Sequence, residues 1–343
     1  MRTQTRARQG APAVPAGEMD ADLAPLRCFW HPVAEASSVA DAPVAVTLLG
    51  EGLVLFRSNG AVRAFSDLCV HRGTRLSLGW VTGDGCLQCP YHGWKYDAEG
   101  ACVHIPSQPA DAQRIPPRAR AIAYRCEERY GLVWVALDDP VRPRPEFRWF
   151  DDPEFHTWSK FCGTREAGAA RFAENALDLA HLDFVHPGLL GTHGDTVIDP
   201  YEVEVGDGSV TMRSAKQSVG SETFAAGHET IYRETCLELP YTFTLKIDGH
   251  RGTTVIWGLH HPITRDRCAL WRFEARNHSL DVPDQEFIDF LDLLLPQDQA
   301  VIESQRPQMV PVDLTEELHI KVADAGAIAY RRLLSEELGV TYV

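Results

Sequence analysis

The pattern of apolar and polar positions divides the chain into two segments. Between residues 27 and 139, short apolar runs such as GLVLF and GLVWVAL are separated by Gly, Asn and Asp, a pattern typical of strands joined by tight turns. The stretch DDPVRPRPEFRWFDDPEF (138–155), with its prolines and alternating charge, indicates a connection between domains. We predict a small antiparallel β domain over residues 21–147 and a second domain over residues 148–343.

The second segment predicts a helix, a sheet and further helices, in that order. It opens with a helical stretch over residues 168–185, which ends before a Pro-Gly pair. Six β-like runs follow between residues 201 and 276 and predict a meandering antiparallel sheet. Helical patterns return at 284–305 and 316–338. The expected class is therefore α+β, with the last helices covering one face of the sheet.

Composition narrows the choice of partners. The 343 residues carry a formal net charge of -15, which argues against a nucleic-acid or anionic-membrane surface because both need clustered Lys and Arg. No apolar run approaches the roughly eighteen residues of a membrane span. Residues 1–20 lack the apolar core of a secretory signal and are expected to form a disordered tail. Nine cysteines do not resemble a disulfide framework, so we expect a cytoplasmic protein that uses cysteine for metal binding.

Two short motifs in the first segment each offer one Cys and one His. A Cys-x-His pair is followed, after seventeen residues, by a Cys-x2-His pair. A Rieske [2Fe-2S] cluster needs two thiolates on one iron and two imidazoles on the other, which these motifs supply. The predicted ligands are Cys69, His71, Cys89 and His92. A structural zinc site is the alternative, disfavoured because Cys-x-His is not the usual zinc-finger spacing.

The neighbours of these ligands are interpreted structurally. Gly73 and Gly93 follow the two motifs closely and would allow tight turns around a cluster. Cys86 forms a Cys-x2-Cys pair with Cys89 that resembles a redox dithiol, but no βαβ pattern accompanies it. We interpret Cys86 as an ordinary core or loop cysteine.

A second constellation lies in the opening helical stretch of the second segment. Asp178 and His181 are three residues apart, on one face of the predicted helix, and His186 follows five residues later. Mononuclear Fe(II) oxygenases hold iron with two His and one carboxylate and leave positions open for O2. Asp-x2-His alone is more often an exposed polar face, but apolar neighbours and the upstream cluster motif favour a metal site here. The carboxylate ligand is missing from this stretch.

These motifs resemble those of the Rieske non-haem iron ring-hydroxylating oxygenases. The resemblance rests on CPYHGW and on Asn-x2-Asp-x2-His-x4-His, which stands here as Asn175, Asp178, His181 and His186. CFWHPVAE, CEERYGLVWV and VADAGAIAYRRLLSEEL are similar to single-component methylxanthine, vanillate and dicamba demethylases. The resemblance covers nearly the whole chain after residue 27. It implies an N-terminal Rieske domain and a C-terminal catalytic domain of the helix-grip type, with an antiparallel sheet covered by long helices.

The family pattern also implies the missing ligand and the electron path. The carboxylate is expected at Asp298, within LLLPQDQAVIESQRP. Its rivals on the same predicted helix are Asp289, Asp292 and Glu303. Within a homotrimer, the resemblance implies that His92 of one subunit contacts Asp178, which contacts His181 of the next. Asn175 would contact the iron site from one turn earlier.

The function implied by the resemblance is O2- and NAD(P)H-dependent monooxygenation, as hydroxylation or N-/O-demethylation of a small aromatic, heteroaromatic or natural-product substrate. A ring cis-dihydroxylating dioxygenase is one alternative, and a Rieske electron-transfer protein is the non-enzyme alternative. No G-x-G-x-x-G or P-loop motif occurs in the chain. A separate NAD(P)H-dependent reductase, with or without a ferredoxin, is therefore expected to supply electrons.

The sequence indicates less about the substrate than about the metal centres. Leu295, Leu294 and Leu291 lie three, four and seven residues before Asp298, on one helical face. They either form an apolar pocket wall, which favours a hydrophobic substrate over a purine, or belong to the core behind the iron. The remaining candidate histidines are given no role and are expected at the surface or in the core. They are His104, His156, His193, His260 and His261.

Overall fold

The computed structural model describes residues 22–190, 196–219 and 228–343. The predicted tail over residues 1–20 lies outside these ranges. The described residues form two compact units, one of residues 27–144 and one of residues 22–26 with 145–343. Among the described helices, none combines the length and the apolar character needed to cross a membrane.

The first unit is built from two antiparallel sheets. The larger sheet has the strand order β1-β10-β9-β4-β3-β2 and the smaller has the order β5-β6-β7-β8. The strands are β1 His31–Glu35, β2 Val44–Leu48, β3 Glu51–Ser58, β4 Ala61–Ser66, β5 Trp80–Val81, β6 Leu87–Gln88, β7 Lys95–Tyr96, β8 Cys102–His104, β9 Ala123–Arg129 and β10 Leu132–Ala136. All five residues of β10 are buried, as expected for a strand covered on both faces.

The core of this unit extends to the cluster motifs. Phe56 and Phe65, on neighbouring strands, pack edge to face with ring centroids 4.9 Å apart. Their buried cluster also contains Cys69, Cys89 and Tyr96. The two predicted cysteine ligands therefore sit on a packed apolar base, which restricts their movement.

The described residues of the second unit form a seven-stranded antiparallel sheet and four helices, which confirms the α+β class. The strand order is β11-β17-β16-β15-β14-β13-β12. The strands are β11 His156–Arg165, β12 Tyr201–Gly206, β13 Ser209–Val219, β14 His228–Glu238, β15 Thr242–Gly249, β16 Gly252–Thr264 and β17 Arg267–Arg276. The helices are α1 Ala169–Asn175, α2 Leu182–Val185, α3 Asp284–Ile302 and α4 Ala325–Leu338. Nine consecutive buried residues of β16, 254–262, show that both faces are covered there.

The predicted continuous helix over residues 168–185 is wrong, because the chain turns between α1 and α2. Asp178 interrupts the helix with its side chain. Its Oδ1 accepts hydrogen bonds from the backbone N–H groups of Ala180 (2.7 Å) and His181 (3.4 Å). Such local bonds compete with helical ones, which is why Asp favours turns and caps. Asp178 and His181 are consequently neighbours across a turn rather than along a helical face.

The helix predicted over residues 316–338 begins later than expected, at Ala325. Asp324 precedes it with a non-helical backbone, and its Oδ2 accepts the N–H of Ile320 at 2.5 Å. The hydroxyl of Tyr201 donates to the carbonyl of Val322 at 2.6 Å and accepts the N–H of Ala325 at 3.2 Å. These bonds satisfy the groups that helical turns would otherwise use, so residues 316–324 remain irregular.

A buried network of ion pairs links α1 to α4. Arg331 of α4, whose side chain is 3% exposed, binds both carboxylate oxygens of Glu174 in α1 at 2.6 and 2.8 Å. Arg331 also contacts Glu317 at 2.7 Å, and Glu317 in turn pairs with Arg171 at 2.7 Å. The bidentate geometry fixes α1 directly before the turn that carries Asp178.

Candidate metal centres

The two cluster loops of the first unit have the same backbone hydrogen bonds. In the first loop, the N–H of Cys69 donates to the carbonyl of Thr74, and the N–H of Gly73 donates to the carbonyl of Cys69, both at 2.8 Å. The second loop repeats both bonds around Cys89, at 2.9 and 3.0 Å. Each turn thereby holds its cysteine and its histidine in an equivalent position.

Glycine is required at the fourth position after each cysteine. Gly73 and Gly93 have φ angles of 68° and 70°, in the left-handed region that side chains disfavour. A Cβ atom at Gly93 would also lie 2.9 Å from Cγ of Pro106, whereas nothing lies within 4 Å at Gly73. The second loop is thus closed by packing as well as by backbone conformation.

The two cysteines and the two histidines among the predicted cluster ligands differ in burial. Cys69 and Cys89 are buried, whereas His71 and His92 are exposed with ring centroids 4.5 Å apart. This arrangement suits a Rieske cluster, whose thiolates hold the inner iron and whose imidazoles hold the outer one. The Tyr96 hydroxyl lies 3.0 Å from Sγ of Cys69 and would donate to the sulfur of a bound cluster.

Aromatic rings support both imidazoles. Trp94 stacks on His71 with centroids 4.5 Å apart and planes 6° from parallel, and Tyr91 lies 3.9 Å from His92. Tyr91 is 60% exposed. The imidazole side of the motif therefore combines exposed apolar surface with the two predicted histidine ligands.

Three predicted iron ligands converge in the second unit. One ligand atom each from His181, His186 and Asp298 lies within 4.8 Å of the others. Oδ1 of Asp298 is 3.0 Å from Nε2 of His186 and 3.6 Å from Nε2 of His181. His181 immediately precedes α2 and His186 immediately follows it, while α3 supplies Asp298. Two imidazoles and one carboxylate at this separation match the ligand set of mononuclear Fe(II) oxygenases.

Unsatisfied polar atoms at this centre fit a cation. Oδ1 of Asp298 and Nδ1 of His181 are buried without a hydrogen-bond partner among the described residues. The 3.0 Å contact between Asp298 and His186 is close in distance but does not have hydrogen-bond angles. Buried polar atoms are normally paired, so an inward carboxylate oxygen of this kind is best satisfied by a metal ion.

Gln297 fixes the orientation of one of the histidines. Nδ1 of His186 donates to Oε1 of Gln297 at 2.7 Å, which leaves Nε2 facing Asp298. Burial alone would lower the pKa of His186, but the contacts with Asp298 and Gln297 raise it. No motif in the sequence identifies Gln297, and its position directly before the predicted ligand is the one available signal.

Asp178 and Asn175 precede the first of the predicted iron ligands, and Asp178 lies close to it. Oδ2 of Asp178 is 3.6 Å from Nδ1 of His181, and the Asp178 side chain is 42% exposed. Burial would raise the pKa of Asp178, but the nearby imidazole of His181 and the N–H of Ala180 lower it. Asn175 is the last residue of α1, three residues before Asp178.

The rival acids are engaged elsewhere. Asp292 pairs with Lys160 at 2.5 Å, and Asp289 accepts from Gln285 at 2.7 Å. Glu303 accepts the backbone N–H of Glu166 at 2.8 Å. Only Asp298 among the four points toward the two histidines, because it lies on a different face of α3.

The leucines before Asp298 pack into core. Leu291 belongs to a buried cluster with Trp158 and Phe287, and Leu295 packs against that cluster. This arrangement favours the core interpretation over a pocket wall for these two residues. Leu294 is also buried.

The other histidines have ordinary surroundings. His260 is buried with Nδ1 2.7 Å from the carbonyl of Tyr241, and burial lowers its pKa to about 4. His261 is buried beside Trp271, and His156 contacts Asp284 at 2.9 Å. His104 is partly buried in β8, and His193 lies outside the described residues.

Two family models match most of the chain. Residues 29–122 match the model of the Rieske [2Fe-2S] domain. Residues 165–338, half of the chain, match the model of the vanillate O-demethylase oxygenase C-terminal domain. These matches favour the cluster over the zinc alternative and an oxygenase over a simple electron carrier.

Whole-length relatives agree with the family models. The chain is 33% identical over 323 residues to methylxanthine N1-demethylase NdmA of Pseudomonas putida, covering 91% of this chain and 89% of the relative. It is 30% identical over 345 residues to a putative toluene-4-sulfonate monooxygenase iron-sulfur subunit of Comamonas testosteroni, covering 91% and 98%.

Solved structures have the same fold. The structure of Pseudomonas putida NdmA with caffeine matches with a TM-score of 0.84 at 30% identity, covering 93% of each chain. Dicamba monooxygenase bound to 3,6-dichlorosalicylic acid matches with a TM-score of 0.79 at 24% identity, covering 91% of this chain and 97% of that chain, and shares the fold. The chain therefore belongs to the Rieske oxygenase alpha-subunit family, within the group that carries the vanillate O-demethylase C-terminal domain.

Proposed function

We propose that this chain is the terminal oxygenase of a Rieske system and carries out O2- and NAD(P)H-dependent monooxygenation of a small organic substrate. The observation that carries the proposal is the convergence of His181, His186 and Asp298 beside an unsatisfied carboxylate oxygen. Electron-transfer proteins have no need of such a centre, whereas a mononuclear oxygenase requires one.

In this proposal the two domains have separate cofactors. Residues 21–147 form the Rieske domain, with Cys69, His71, Cys89 and His92 holding the [2Fe-2S] cluster. Residues 148–343 form the catalytic domain, in which His181, His186 and Asp298 hold Fe(II). When bound, the Fe(II) supplies the site at which O2 is activated.

The side chains around the iron ligands orient them and control protons. Gln297 holds the proton of His186 on Nδ1, so that Nε2 remains available as a ligand. Asp178 is placed to accept the proton on Nδ1 of His181 once the two groups close from 3.6 Å. The burial of His186 and Asp298 excludes bulk water from the ligand atoms.

Electrons reach the catalytic iron through a neighbouring subunit in our proposal. His92 is exposed, and Asp178 is partly exposed, so both are available to a partner chain. A carboxylate between two imidazoles fixes their tautomers and shortens the path between the metal centres. A homotrimer with His92 of one subunit contacting Asp178 of the next is the arrangement we propose, with a separate NAD(P)H-dependent reductase as donor.

The reaction consumes O2, two electrons and two protons, and places one oxygen atom in the substrate and the other in water. Insertion at an N- or O-methyl group gives a hemiaminal or hemiacetal, which releases formaldehyde. The similarity to a methylxanthine demethylase and to a toluene-4-sulfonate monooxygenase subunit supports heteroaromatic and aromatic substrates. Asn175 is proposed to support the site from the end of α1.

Metal analysis tests the proposal most directly. The purified chain should hold about three iron atoms and about two acid-labile sulfides, the sum of one two-iron cluster and one mononuclear iron. About two irons per chain in an enzyme with an intact cluster spectrum would contradict it. A substrate screen with a generic reductase, scored for formaldehyde, hydroxylated products and cis-diols together, distinguishes demethylation, hydroxylation and dihydroxylation.

Asp178→Ala tests the electron path separately. Reductase-driven turnover should be lost because the link between imidazoles is removed. Iron content and the cluster spectrum, measured on the same variant, separate this loss from an effect on the turn that carries His181. Asp289→Ala is the matched control, since Asp289 is an exposed acid that bonds only Gln285 among the described residues. Full NADH-driven activity in Asp178→Ala would rule out the link.

A further inference from the structure

One row of paired residues defines the face of the second sheet that lies toward the iron ligands. The residues of this row are directly opposite one another on six neighbouring strands, so their side chains share a face. The row runs through Met212, Thr235, Leu245, Ile256, Glu274 and Trp158. We call this side of the sheet the inner face.

Both ends of the row contact elements that carry predicted ligands. At one end, Met212 packs against Gly326 of α4 and Leu177, since a side chain at Gly326 would collide with Sδ of Met212 and lie 3.2 Å from Cβ of Leu177. Leu177 directly precedes Asp178. At the other end, Trp158 packs with Leu291 of α3, the helix that carries Asp298. The inner face therefore packs against the segments that supply the predicted iron ligands, the turn after α1 and the helix α3.

Arg233 lies on this inner face. It is two residues before Thr235 on β14, and it pairs with Ser214, which is two residues after Met212 on β13. Alternation along both strands places its side chain on the same side as the row. Arg233 is only partly buried, so it remains within reach of a bound molecule.

Arg233 differs from the other arginines of the inner face in having no acidic partner. Arg272 contacts Glu274 at 3.1 Å, and Arg276 contacts Asp284 at 2.7 Å. Among the described residues Arg233 forms no ion pair, and its Nε is buried without an acceptor. Burial lowers its pKa to about 10, with no acidic group acting against this effect. A guanidinium that is partly withdrawn from water is normally matched by an anion, which the described part of the protein does not provide.

We propose that Arg233 binds an anionic group of the substrate, a carboxylate or a sulfonate. This inference rests on the proposed function, because it assigns the substrate class of the same catalytic domain. A planar guanidinium donates two parallel hydrogen bonds to such a group, which gives both affinity and a fixed orientation. The uncharged part of the substrate then extends toward the metal centre. A neutral purine leaves Arg233 without its partner and is disfavoured.

Binding to the full-length holoenzyme tests this proposal without requiring turnover. The probes are 4-methoxybenzoate and 4-toluenesulfonate, with 4-methoxybenzamide as the neutral counterpart, measured by isothermal titration calorimetry. We expect at least one anion to bind about tenfold to a hundredfold more tightly than the amide, the usual advantage of a charged hydrogen-bonded pair. The two anions distinguish a carboxylate site from a sulfonate site.

Arg233→Met should abolish this preference and leave the affinity for the amide within about twofold. Arg213→Met is the matched control, because Arg213 is on the neighbouring strand, on the opposite face, and is paired with Glu204 and Glu234. Arg233→Gln provides a second neutral variant in case the methionine variant does not fold. Iron content and the cluster spectrum, measured on every variant, keep a failure of the metal centres separate from a failure of anion binding.

Two results would overturn the inference. The first is an anion that binds no more tightly than 4-methoxybenzamide at millimolar concentration in a fully metal-loaded enzyme. The second is an anion preference that survives in folded Arg233→Met or Arg233→Gln, or that disappears equally in Arg213→Met. Tight binding of caffeine with equal affinity in the wild type and in Arg233→Met, without binding of either anion, would also contradict it.

Discussion

Replacing Gln297 with Leu should weaken the mononuclear metal site without altering the Rieske cluster. Oε1 of Gln297, at 2.7 Å, is the only hydrogen-bond partner of Nδ1 of His186 among the described residues, and His186 is 1% exposed. Water therefore has no access to replace the lost acceptor. A buried N–H left unsatisfied costs about 1–3 kcal/mol, which corresponds to roughly fivefold to 150-fold in metal affinity. Loss of an outer partner of a metal-binding His usually costs about tenfold to a hundredfold, in the same range.

The assay is an anaerobic Fe(II) or Co(II) titration of protein stripped of its mononuclear metal. The cluster spectrum is recorded in the same sample, because it reports on the first unit. Gln285→Leu is the matched control, since Gln285 lies on the same helix and, in the part of the chain that the structure describes, bonds only the exposed Asp289. Gln297→Glu keeps an acceptor and should bind metal at least as tightly as the wild type.

An unchanged titration curve in Gln297→Leu would refute the reasoning, because the hydrogen bond to His186 would then not orient the ligand. A loss of cluster signal together with the mononuclear metal would show general misfolding. Weakened binding in Gln285→Leu to the same degree would point to an effect on α3 as a whole.

Three further predictions concern the stability and redox properties of the two units. Tyr96→Phe removes the hydroxyl donor 3.0 Å from Sγ of Cys69. A hydrogen bond worth about 0.5–1.5 kcal/mol stabilises the reduced, more negative cluster, so its loss should lower the reduction potential of the cluster by about 20–65 mV in voltammetry. Gly73→Ala should lower the free energy of unfolding by about 1–2 kcal/mol, because alanine is strained in the left-handed backbone conformation. Gly93→Ala should lower it further, because its methyl group would also contact the ring of Pro106. Urea denaturation followed by the cluster absorbance measures both. Arg331→Met should cost about 3–5 kcal/mol in the same measurement, because it leaves the largely buried carboxylate of Glu174 unpaired.

Each of these predictions has an outcome that contradicts it. An unchanged or raised potential in Tyr96→Phe would show that the hydroxyl does not donate to the cluster. Equal destabilisation of the two glycine variants would remove the argument from packing in the second loop. Arg332→Met is the control for Arg331→Met, because Arg332 is the exposed neighbour on the same helix, and equal losses in the two variants would show that the buried ion pairs contribute little.

The cluster motif was accessible from the sequence because each loop is local. A Cys, a His and a Gly within five residues define a turn, and the turn's hydrogen bonds depend on little beyond those residues. The apolar alternation that predicted the α+β class is also local, and the structure confirms that class. Burial of the cysteines and exposure of the histidines required the fold.

The second centre depended on the fold more strongly. His181 and His186 are close in the sequence, but the periodic pattern did not predict the break between α1 and α2 that orients them. The Asp178 side chain competes with helical hydrogen bonds there, and a periodic pattern does not show such competition. Asp298 was selected among four acids by resemblance. Its separation from Asp292 is apparent only once α3 is packed, with Asp292 paired to Lys160.

The sequence by itself determined the residue types, the local turns and the periodicities, and these were enough for the fold class, the cluster motif and the family. The tertiary structure decided which polar atoms have partners. The contact of Gln297 with His186 joins residues far apart in the chain, and so does the packing that leaves Asp298 and Arg233 with unsatisfied atoms among the described residues. The physical reason is that the cost of removing a polar group from water depends on its surroundings in the folded molecule, whereas secondary-structure propensity depends on the local sequence.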